Sequence, residues 1–266
     1  MAVALVLLTG TVLWHSGVKQ VHPEAGGELN SPHATATLPG LELNALTALG
    51  LLAGSSGNGS QSAQAATNLA AGGNTIHSNI VTTFFWVGEP ADSDNGYIAN
   101  AASAWDGHWQ VHYGGVDSPT GRNGSLPGAF TPLENPFYIA LPYNDFSPQS
   151  TRKANATSCL SYTPIRNDHY SWCKNIWVAV AHGNKTAYAQ WEDVGPFLED
   201  DSTYVFGTAP PHNSQEAKAG LDVSPAVRDY LGLGDVDHTS WWFVPASAVP
   251  DGPWKVHSTT SLGDSL

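Results

Sequence analysis

Positive charge is scarce in this chain. Ten Lys and Arg stand against 23 Asp and Glu, for a net charge of −13. That balance makes the chain a poor candidate for binding nucleic acid or an anionic membrane through a basic patch. It favours a neutral or cationic substrate over a polyanion. Cysteine is nearly absent as well. The two present, Cys159 and Cys173, form no CxxC pair, so no zinc site rests on them. They read as a disulfide of an exported protein, with two separate buried thiols as the alternative. In the chain-entropy picture such a bridge stabilises by about 3 kcal/mol. Long apolar runs are lacking. The run AVALVLLTGTVLW at 2–14 is too short to span a bilayer comfortably. It fits the apolar core of a secretory signal, although the positive flank of such signals is missing. Neither a Gly-rich phosphate loop nor a Gly-x-Ser-x-Gly elbow occurs, which removes nucleotide and α/β-hydrolase readings.

Runs with helical period are few, while Gly (27) and Pro (18) are plentiful. This composition favours a loop-rich β protein. The 266 residues suffice for one well-buried domain plus an extension. The expected organisation is a signal or membrane-proximal segment at 1–20, a disordered low-complexity linker at 21–75, a domain at 76–256 and a frayed tail at 257–266. A short helix is expected at 41–52. Asn-x-Ser/Thr sequons occur at Asn58, Asn123, Asn155 and Asn184; they matter only in a eukaryotic secretory host.

The most informative stretch is 174–227. Two alternating apolar runs, 176–181 and 186–191, flank the turn His182-Gly183-Asn184-Lys185. Alternation at period two around a Gly-Asn turn is a hairpin signal. The second strand ends in Glu192-Asp193, and the period of two turns Glu192 away from Asp193. Leu221-Asp222-Val223 reads as a short strand, and Ser224-Pro225 as the cap and first position of a helix through Leu231. Further strands are expected at 82–89, 137–141 and 241–244, with a helical turn near 101–105. The acids Glu199, Asp200 and Asp201 read as a solvated loop tip rather than a calcium site.

These residues carry a family resemblance over about a third of the chain. Asp193-Val194-Gly195-Pro196-Phe197, followed by Leu221-Asp222-Val223-Ser224-Pro225, resembles the double-psi β-barrel of rare lipoprotein A-type lytic transglycosylases. Expansins and family 45 endoglucanases share that barrel and carry a similar Asp-Leu-Ser. The resemblance implies an all-β, six-stranded double-psi barrel with long loop insertions and short helices. Thr82 to Trp86 resembles the opening strand of the endoglucanases, but Val87 stands where they carry a catalytic Asp. The Arg after the transglycosylase Asp is Val194 here.

The expected chemistry is cleavage of a β-linked cell-wall glycan, peptidoglycan or a plant or fungal polysaccharide, by a monomeric secreted or envelope protein. The resemblance makes Asp193 the acid in the transglycosylase pattern and Asp222 the acid in the endoglucanase pattern. Glu89 and Asp145 are additional acid/base candidates. Trp86, Trp105, Trp109, Tyr113 and Tyr143 are candidates for stacking on sugar rings, with burial under a loop as the alternative for 105–113. The alternatives to an enzyme are a non-catalytic, expansin-like wall-binding protein and a plain protein-binding barrel. His108 and His112 have helical i, i+4 spacing, but Gly107 argues for a loop and no third ligand is evident, so neither metal nor cofactor is expected.

Overall fold

The computed structural model describes residues 75–93, 95–163 and 167–265. The expected leader, the helix at 41–52 and the linker up to 74 lie outside the described residues. Six strands close into a barrel: β1 (His77–Phe84), β2 (Tyr138–Leu141), β3 (Trp177–His182), β4 (Lys185–Val194), β5 (Leu221–Val223) and β6 (Asp237–Phe243). Their order around the barrel is β1-β5-β2-β4-β3-β6. The pairs β1/β5 and β2/β4 are parallel; the other four are antiparallel. Closure leaves no sheet edge unpaired. Short helices decorate it: α1 (Trp109–Tyr113), α2 (Ser202–Val205) and α3 (Pro225–Leu231). No described helix is long and apolar enough to cross a membrane.

Local chemistry explains the best-defined elements. The β3–β4 hairpin pairs His182 with Lys185 across a two-residue turn. Gly183 takes the positive φ (58°) that its first position demands. Helix α3 starts where Ser224 accepts from the Val227 amide. Its hydroxyl also donates to Pro136 O (2.7 Å), tying the helix start to the strand beside it. Trp241, Trp191 and Phe243 fill the main core with Val178, Val180 and Leu221. A second, smaller core gathers Phe85, Val87, Trp109, Tyr113 and Tyr138 beneath the long 95–117 loop.

Four expectations differ from what is found. The first strand runs His77–Phe84 rather than 82–89, because its pairing with β6 starts at His77, which stacks on Trp241 at 4.0 Å. The helical turn of the long loop falls at Trp109–Tyr113, not 101–105. Asp201 is buried rather than solvated. It caps α2 through the Tyr204 amide and accepts from the His212 amide at 2.8 Å. Residues after Lys255 do not fray. Thr259 is buried, its hydroxyl accepts from the Asn135 amide (3.0 Å), and its backbone bonds twice to the Gln190 side chain.

Cys159 and Cys173 are bonded to each other, joining a 3-10 segment (Ala154–Ser161) to the approach of β3. A disulfide is compatible with an extracytoplasmic protein.

Candidate functional site

Strand register brings the two leading carboxylates together. In the β2–β4 pairing, Ile139 faces Trp191 but Ala140 faces Asp193. One extra residue, Glu192, is therefore inserted in β4. Such a bulge changes which side chain meets a given place on the neighbouring strand. Without it, Glu192 would lie opposite Ala140. On its other side Ala140 pairs with Asp222 of β5. Asp193, Ala140 and Asp222 thus form one row across three strands. Two strand spacings separate the acids by about 10 Å at Cα. The residue between them carries only a methyl. Gly195 closes the row: a Cβ there would stand 3.6 Å from Asp222 Oδ2 and 3.9 Å from Ala140 Cβ.

All four residues line a cleft of about 1100 Å³. Loop residues Tyr97, Asn144 and Phe197 form further wall. Inside, Asp193 is 8% exposed. Its Oδ1 accepts from the Ala104 amide (2.7 Å) and from its neighbour Val194 (2.8 Å). Its Oδ2 has no hydrogen-bond partner among the described residues, leaving that oxygen to carry a proton. Burial is the largest influence on this carboxyl and pushes its pKa up to about 7. The two amides oppose the rise, and the nearby Asp222 adds to it. Asp222 is held by the Thr83 hydroxyl on the parallel neighbour β1.

Glu192 points elsewhere. It forms a buried ion pair with Lys174, so the expected opposition of Glu192 and Asp193 is found although the strand is bulged. Burial raises the Glu192 pKa and the Lys174 charge works against the rise.

The other sequence candidates are placed differently. Asp145 is fully buried and outside the cleft lining. It accepts from Arg152, from Ser171 Oγ (2.8 Å) and from the Trp172 amide (2.8 Å), so it anchors a loop rather than facing a substrate. Glu89 is buried outside the cleft lining, where it accepts from Asn100 Nδ2 at 2.6 Å. Val87 is completely buried. Trp109, Tyr113 and Tyr143 have essentially no exposed ring surface, because they fill the two cores. Stacking on a sugar is therefore replaced by packing. Trp105 borders the cleft, but its ring meets Trp191 edge-on at 5.5 Å and its indole N–H donates to Asn144. Trp86 is half-buried, stacked near Phe84, and outside the cleft lining.

Two contributors went unnoticed in the sequence. Tyr97 is 74% exposed and lies on the cleft wall. It follows Asn95-Gly96, a turn signal that places a side chain at a loop tip. The second is the Ala104 backbone N–H, which no side-chain pattern reveals. Asp264 supports it from the C-terminal segment: its Oδ2 accepts from the Gly107 amide (2.7 Å) and its own amide donates to Trp105 O (2.9 Å).

Asp106, His108 and Asp264 bring three metal-ligand residues, two carboxylates and an imidazole, within 4.8 Å of one another at the rim. Asp106 already holds His112 Nδ1 through both oxygens, and Asp264 the Gly107 amide. The cluster therefore has an internal use. A scan against protein-family models finds no match for this chain, and a search of curated proteins finds none either.

Proposed function

We propose that the cleft cleaves β-glycosidic bonds in a cell-wall polysaccharide, with Asp193 as the general acid. The supporting observation is the row Asp193–Ala140–Asp222, two acids set side by side on the floor of one open groove. Glycoside cleavage needs a proton donor at the leaving oxygen and a negative group near the oxocarbenium-like centre. Asp193 holds its proton up to about pH 7 and offers it from Oδ2. Asp222 is the second carboxylate, steadying the positive charge that develops on the sugar. In this reading the barrel is of the double-psi kind, and Tyr97 offers a ring face to a pyranose.

Val87 favours one route over the other. Hydrolysis with inversion needs a base for water, and the position where relatives carry one is an apolar core residue. A transglycosylase-type reaction needs no such base. Asp193 donates its proton to the leaving oxygen, then its carboxylate takes a proton from the substrate's own hydroxyl as that oxygen closes on the anomeric carbon. The product is an anhydro-sugar end. The same missing base favours, as a second reading, an expansin-like protein that binds the polymer without cutting it.

The test is an end-group assay on peptidoglycan and on cellulose. Anhydro ends on peptidoglycan that disappear with Asp193→Asn support the first reading. Binding to either polymer with no new ends supports the second. Failure to engage both polymers removes both.

A further inference from the structure

A second cavity, of about 340 Å³, shares no lining residue with the cleft. It is walled by Val111 and His112 of α1, by Leu133 and Glu134 ahead of β2, and by Thr260 and Ser261 of the C-terminal segment. Glu134 is only 5% exposed, and neither of its oxygens has a hydrogen-bond partner among the described residues. Burial raises its pKa, and the nearby Lys174 charge and the Trp109 side chain work against the rise, the latter without completing such a bond. Buried carboxylates are normally satisfied, so an unsatisfied one facing a cavity calls for a ligand that supplies donors.

The surrounding charges are already committed. Lys174 pairs with Glu192, and His112 Nδ1 pairs with Asp106. Glu134 is the acid left over. At the mouth stand two apolar side chains in water, Val111 at 71% and Leu133 at 73% exposure.

We propose that this cavity binds an organic ammonium group, with the ammonium on the Glu134 carboxylate and a short apolar stem between Val111 and Leu133. An ammonium brings three N–H donors to an acceptor-only group, and its carbons cover the exposed apolar rim. A divalent cation fits less well. It needs several ligands at once, and the described cluster with three metal-ligand residues in reach does not include Glu134. The site is independent of the chemistry proposed for the cleft.

The test titrates the full chain with n-butylammonium chloride at constant ionic strength, following the Trp109 indole N–H by NMR. A saturable shift with millimolar half-saturation is expected for so small a ligand. Glu134→Gln weakens it about tenfold or more, as loss of a charged hydrogen-bond acceptor does. Val111→Ser, at an exposed position that leaves the fold alone, weakens it about threefold. An equal response to n-butanol or to magnesium chloride overturns the proposal, as does a response that Glu134→Gln leaves intact. N-acetyl-lysine methylamide separates the sources: affinity like that of butylammonium assigns the site to lysine side chains, and loss of affinity assigns it to free amines.

Discussion

At the scale of single residues, Asp193 is where the proposed role as proton donor and stability oppose each other. Its carboxyl is neutral in the fold up to about pH 7, against an ordinary value near 3.9 in the unfolded chain. A group whose pKa is raised by folding stabilises below the unfolded value and loses that contribution as pH rises to the folded one. Asp193→Asn removes the ionisation. It is expected to abolish turnover and to raise stability at pH 8 by roughly 2–4 kcal/mol, with the two proteins converging near pH 4. Urea denaturation at both pH values checks this. For the native protein, cleavage is expected to fall as pH rises through about 7, since a deprotonated donor has nothing to give. Tyr97→Ala is expected to weaken glycan binding several-fold and leave the melting temperature unchanged, because the ring is exposed and core packing is untouched.

At the scale of elements, the bulge in β4 and the C-terminal segment set the site. The inserted Glu192 survives in the interior because Lys174 neutralises it. Lys174→Met strands that charge and is expected to cost about 3–5 kcal/mol, whereas Lys174→Met with Glu192→Met is expected to recover most of the loss. Chemical denaturation of the single and double variants measures the difference. The C-terminal segment acts at longer reach. Asp264→Ala releases the Gly107 amide, loosens the loop that aims Ala104 N–H at Asp193, and is expected to raise the Asp193 pKa further. Carboxyl carbon NMR reads that shift, and an unchanged titration would show that the loop holds itself.

Elements whose causes are local were legible in the sequence. The hairpin followed from alternation around Gly183-Asn184, and α3 from Ser224-Pro225. The strand Leu221–Val223 was placed correctly by its flanks. The bulge was not legible, because it exists only relative to β2, dozens of residues away. The aromatic residues of the long loop misled for a related reason: composition marks them as able to bind sugar or to pack, and only the arrangement of Tyr138 beneath Trp109 and Tyr113 decides for packing. The tail deceived through its polarity, since its order comes from hydrogen bonds to Asn135 and Gln190 rather than from burying apolar surface.

At the scale of the whole molecule, a closed barrel with long loops depends on those loops being held. The Cys159–Cys173 bridge restrains the region that also contains the Asp145–Arg152 pair. Replacing both cysteines by serine is expected to lower stability by about 2–4 kcal/mol. The barrel strands should keep their slow hydrogen exchange while the 145–173 loop loses protection, and mass-spectrometric exchange reports both. Both acids stand on paired barrel strands rather than on loops, so the scaffold fixes them more firmly than loops would.

Ala140 has a consequence of its own. Its methyl is the only side-chain matter on the middle strand between the two acids, so the room above it sets how thick an occupant reaches both. Leucine there would act as a doorstop against anything as bulky as a hexose without removing either acid, at the cost of crowding the smaller core to which the buried Ala140 belongs. Lengthening one side chain at a neutral position would therefore separate the size of the slot from the chemistry of its edges.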